Sequence, residues 1–148
     1  MTSLPVILRD HREELWRRWV DALADAVDSD YRELVASQLG DRMLRTMIDD
    51  LIAFSEAEQY ERLGMLRAME ERATADARHR LALGFTVLDA VVSLQTLRAV
   101  ISDVLVDALV LDEMPAFADT LDQLKVVNAL LDRLVCATVV ADEAAQHV

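Results

Sequence analysis

Residues 78–107, RHRLALGFTVLDAVVSLQTLRAVISDVLVD, decide the fold. Gly84 stands where a helix would end, because a left-handed residue just past a C-terminus is cheap only for glycine. Arg78, His79 and Arg80 precede it, and positive charge suits the last turns of a helix. Thr86 with Asp89 approximates a capping box, so a new helix is expected from Val87 to about Val110. Val87, Leu88, Val91, Val92, Leu94, Leu97, Val100, Ile101, Val104 and Leu105 place apolar residues nearly all round that helix. A helix of this kind is buried by its neighbours or shared between subunits. It is therefore expected at the centre of the fold.

The rest of the chain reads as helices packed on this run. Two prolines and three glycines in 148 residues leave little room for a sheet. A first helix is expected over Pro5–Val27, with Leu8, Leu15, Trp16, Trp19, Val20 and Leu23 forming an apolar stripe. Arginines and carboxylates on its other faces suit i to i+4 pairing. Both tryptophans anchor the stripe to the core or to a second subunit, or else wall a ligand site. Asp28, Ser29 and Asp30 offer a stop and an N-cap. A second helix then runs from Tyr31 towards Phe54, where Gly40 admits a close neighbour or marks a break. A third carries Tyr60, Leu63, Leu66, Met69, Ala73 and Ala77 on its apolar face.

After a break at Leu111–Pro115, the last helix spans about Ala116–Ala145. Its expected core face is Phe117, Leu121, Leu124, Val127, Leu131, Leu134, Val135 and Val139, with Asn128 on the same side. Thirty residues make about 45 Å of helix, more than a domain of this size needs. Its end is expected to project as a connector or to pair with a copy of itself. The fold class is all-α, about five or six helices in a single domain over 1–148.

Composition excludes several functions. Apolar residues make up 53% of the chain and charged residues 28%, and no run of about 18 uncharged apolar residues occurs. No membrane partner is expected, and the N-terminus is neither a signal nor a transit peptide. A cytoplasmic protein is the expectation. A net charge of −12 argues against nucleic acid, whose phosphates need a basic face. Cys136 is alone, so there is no disulfide framework, and its apolar run LLDRLVCATVV predicts a buried position. The histidines His11, His79 and His147 are far apart, and no HExxH, CxxC or phosphate loop is present. No catalytic, cofactor-binding or metal-binding residue can be named, and an enzyme is not expected. Paired carboxylates at Asp49–Asp50, Glu70–Glu71 and Asp112–Glu113 read as solvated surface.

Arg98 is singled out because it interrupts the most apolar helix. A buried charge must be paired or face a polar cavity. Either it reaches the surface or pairs structurally with Asp132, or it holds a bound anion.

Arg80-x3-Gly84-Phe85-Thr86, followed by an apolar helix carrying Leu97-Arg98, resembles the N-terminal domain of the RsbR/RsbRD co-antagonist proteins. The stretch LRDHREELWRRWVDAL with Trp19 resembles the first helix of that family. LLDRLVCATVV with Asp132 resembles its last helix. Together the similarity covers roughly Leu4–Val140. It implies a globin-like helical bundle without haem, a homodimer, and a sensory or protein-interaction role. In that family the domain stands at the N-terminus of a signalling protein with an output domain of stress-response or histidine-kinase type. A candidate pocket or buried polar site then involves Arg98, Asp132, Trp19 and Phe85. The alternative is a small-molecule- or haem-binding globin-type sensor with a pocket near Arg98. Haem-binding globin sensors carry a histidine four residues before the glycine, where this chain has Arg80. His79 is one residue away, about 100° round the helix, and is a weak stand-in for an iron ligand, so no cofactor is expected.

Overall fold

A computed structural model describes residues 3–26, 29–111 and 117–146. Among them the chain is all-helical, in seven helices with no strand. In chain order these are α1 (Leu4–Asp10), α2 (Arg12–Ala26), α3 (Ser29–Ala36), α4 (Gln38–Glu56), α5 (Gln59–Ala82), α6 (Val87–Leu111) and α7 (Phe117–Gln146). The expected stop at Val27–Asp28, the break over 112–115, the start at Ala116 and His147 lie outside the described residues. So does the side chain of Phe117.

The count exceeds the expected five or six because two expected helices are each divided. The first is interrupted at His11 (φ −105°, ψ 19°), a turn residue between α1 and α2 that keeps two bonds of its own. His11 N still donates to Ile7 O at 3.0 Å, and Leu15 N to His11 O at 2.8 Å. The second breaks at Ser37, whose extended backbone lets its hydroxyl accept from Gly40 N at 3.1 Å and cap α4. Gly40 also admits a close approach: a Cβ there would stand 2.0 Å from Leu34 O. The break and the close approach are one feature.

At Gly84 the chain takes φ +89°. Phe85 N donates to Arg80 O and Gly84 N to Leu81 O, both at 3.0 Å, which completes a Schellman C-cap for α5. Thr86 Oγ1 then accepts from Asp89 N at 3.4 Å at the start of α6. Two helix ends are thereby satisfied within a few residues.

α7 packs along α5 and α6 and also meets α4 and α1, while α6 lies on α2. Trp19, Leu23, Leu97, Ile101, Val127, Leu131 and Leu134 are almost fully buried where these helices meet. Each such side chain contributes about 1.5–3 kcal/mol over its exposed state. Leu4 N closes the N-terminus onto α7 by donating to Gln123 Oε1 at 2.8 Å.

Several expected core positions face outward. Leu88 at the start of α6 is exposed, as are Tyr60 (81%), Leu63 and Leu121. α5 buries only Met69, Ala73 and Ala77, a narrow stripe of mostly small side chains, so its first turns extend past the packed region. Cys136 is exposed rather than buried. The helical repeat puts it on the outer line of Asp132 and Val140, which are also exposed.

The charged faces of α1 and α2 are more than solvated surface. Arg18 pairs with Glu14 at 2.6 Å within its helix, and reaches Asp107 of α6 at 2.9 Å. Arg12 donates to Asp49, Arg9 pairs with Glu56, and Arg45 reaches Glu13, which ties α1 and α2 to α4. Asp50 and Glu70, read as solvated carboxylates, pair with Arg72 and Arg133. No described helix is long and apolar enough to cross a membrane.

Candidate functional site

The residues singled out from the sequence fall at separate places. Arg98 of α6 pairs with Asp132 of α7, so the two do meet. The pair is a surface feature: the Arg98 side chain is 26% exposed and that of Asp132 64%. Only Arg98 Nε is buried, and it has no hydrogen-bond partner. Neither residue lines the cavities that Trp19 and Phe85 border.

Trp19 is buried and donates its indole N–H to the Ser93 carbonyl at 2.9 Å. It forms one wall of a cavity of about 40 Å³ between α2, α3, α4, α5 and α6. Tyr31, Leu34, Val35, Met43, Leu44, Met47 and Leu94 make most of the remaining wall, with Gly40 also lining it. Two charged residues enter this apolar space: Asp76 and Arg80, one turn apart on α5.

Phe85 belongs to a neighbouring cavity of about 10 Å³, which Arg80 and Ala90 share with the first. Its ring meets Tyr31 edge-on at 5.6 Å and 89°, a geometry favoured by the ring quadrupoles. The Schellman cap fixes both residues at once, since Phe85 N holds the Arg80 carbonyl.

The electrostatics of the cavity are unusual for so apolar a lining. Arg80 Nε is buried with no hydrogen-bond partner. Burial pushes the Asp76 carboxyl above the ordinary carboxylate range, and the nearby charges of Arg80, Arg72 and His79 oppose that shift. Among the described residues, Asp76 and Arg80 lie within Coulombic range with no ion pair or hydrogen bond between them. Two opposite charges thus face one small space unneutralised by direct contact.

His79 is exposed and lines neither cavity. The neighbouring Arg80 takes the inward position, and its guanidinium cannot lose the proton that metal ligation requires. No group of three or more His, Cys, Asp or Glu side chains among the described residues has a metal-holding arrangement.

Arg80 and Asp76 escaped the sequence reading. Arg80 was legible as a macrodipole charge and as the substitute for a haem histidine, and Asp76 as one charge in a charged face. Asp76 follows Ala73 by three residues and Arg80 follows Ala77 by three, and this i to i+3 spacing was the available signal, since it places both beside the buried stripe of α5. No protein-family model, curated protein or solved structure matches the chain.

Proposed function

We propose that the chain is a non-catalytic sensory and protein-interaction domain of a bacterial signalling protein. In this reading it is a globin-like bundle of the RsbR/RsbRD co-antagonist type. It forms a homodimer through its first and last helices and relays a signal along α7 to an output domain.

The observation that carries the reading is the apolar surface left open on those helices. Val6 of α1 and Leu121, Val126 and Val140 of α7 are exposed, and Val140 reaches 62%. The Leu4 N to Gln123 Oε1 bond joins the start of α1 to α7. Thirty residues of α7 provide a lever about 45 Å long. Association offsets the exposure of such residues by burying them against a copy.

Light scattering on the chain and on the double variant Leu121→Glu, Val140→Glu tests the interface. The parent is expected as a dimer and the variant as a folded monomer. A variant that keeps the dimer mass would move the interface elsewhere. The haem form of the sensory reading has its own check: a Soret band in the purified protein would restore it against the inward Arg80.

A further inference from the structure

The space shared by Asp76 and Arg80 has the character of a binding site rather than a packing defect. Its volume of about 40 Å³ exceeds the ~10–15 Å³ that one water needs. It is far smaller than the ~300–1,000 Å³ clefts that take drug-sized ligands. Only a molecule of a few heavy atoms fits. The lining of Trp19, Met43, Leu44 and Met47 suits a methyl or short alkyl group. Met43, Met47, Asp76 and Arg80 are partly exposed, which gives the space a route to solvent.

The polar side of the cavity demands two complementary groups at once. The Arg80 guanidinium offers N–H donors, including the buried Nε with no partner. The Asp76 carboxylate accepts. An anion alone would satisfy Arg80 but stand beside Asp76, and a cation alone would meet the reverse conflict. A ligand carrying both charges a few ångströms apart resolves both.

We infer that the cavity bordered by Trp19, Asp76 and Arg80 binds a small α-amino acid zwitterion, with its carboxylate on Arg80, its ammonium on Asp76 and its side chain on Trp19 and Met47. The raised affinity of Asp76 for a proton fits this arrangement, since a carboxylate partly withdrawn from water and lacking a cation in contact gains one from the ligand. The binding deepens the sensory reading, naming the class of signal. It is independent of dimerisation, and either can fail alone.

Titration calorimetry and thermal shift on the whole chain test it, with glycine, L-alanine, acetate and methylammonium as probes. Alanine is expected to bind saturably and to raise the melting temperature with concentration. Acetate and methylammonium, each making half of the contacts, are expected to bind at least about tenfold more weakly. Arg80→Gln and Asp76→Asn should each weaken alanine binding by about tenfold or more, and Arg80→Lys by less. Arg98→Gln, outside the cavity, should bind as the parent does. Far-UV dichroism identifies any variant that fails to fold, and the parent's preference for alanine over acetate remains decisive in that event. Absence of saturable alanine binding into the millimolar range would overturn the inference and leave a water-filled gap. So would acetate binding as tightly as alanine, or Arg98→Gln losing as much as Arg80→Gln.

Discussion

Trp19 of α2 donates its indole N–H to the Ser93 carbonyl of α6 at 2.9 Å, joining the two helices beside the cavity that Arg80 enters. Trp16 differs, because its Nε1 is buried without a partner and its ring instead underlies the Arg45 guanidinium at 4.0 Å. Trp19→Phe is therefore expected to destabilise by about 1–3 kcal/mol through a lost hydrogen bond and lost volume. Trp16→Phe should cost less. Urea unfolding of both variants checks the order, and a reversed order would contradict the placement of the two rings.

Gly40 and Gly64 make a second, opposed pair. A Cβ on Gly40 would meet Leu34 O at 2.0 Å, whereas nothing lies within 4 Å of one on Gly64. Gly40→Ala should lower stability by about 1–3 kcal/mol through overpacking. Gly64→Ala, in the exposed part of α5, should raise it by up to about 1 kcal/mol. Thermal denaturation of the two variants reads both signs. Equal effects would mean that α3 and α4 do not touch at Gly40.

The Arg98–Asp132 pair is a surface contact, and such pairs contribute less than about 1 kcal/mol. A double-mutant cycle with Arg98→Ala and Asp132→Ala is expected to give a coupling of that size, shrinking in salt. Coupling above about 2 kcal/mol would require a buried pair.

The pH dependence of stability carries two opposite contributions. Asp76, raised by burial, binds protons more readily folded than unfolded, so its contribution falls as pH rises through the acid range. Asp76→Asn should remove that loss and gain on the parent at neutral pH. Glu14 is held below its ordinary range, first by the hydrogen bond from His11 and then by Arg18. Its contribution is present above the unfolded value and is lost as pH falls through the lowered one. Glu14→Gln should therefore lose ground at neutral pH and less in acid. Melting temperatures across the acid range separate the two, and parallel curves for all three proteins would contradict both assignments.

Local chemistry was legible in the sequence; the direction in which a face points was less so. Gly84, Thr86 and Asp89 announce a helix end and a helix start because each residue type satisfies backbone groups nearby. The Ser37 cap had the same kind of signal, a hydroxyl three residues before Gly40, inside a run that otherwise suits one long helix. His11 had none, since no glycine, proline or capping hydroxyl marks the turn there, and α1 and α2 each pack on α4 and α6. Cys136 was drawn inward by its apolar neighbours, although Asp132 and Val140 at four-residue spacing mark the outer line. Arg80 was the costliest omission. Its spacing from Ala77 sets it beside the buried stripe of α5, but the cavity it borders is completed by four other helices, whose packing that spacing does not encode.

The proposed sensory role rests on dimerisation, which sedimentation equilibrium of the purified chain measures. A mass of twice the 16.6 kDa chain, persisting to micromolar dilution and lost in Leu121→Glu, Val140→Glu, is the predicted result. A single-chain mass at every concentration would contradict it.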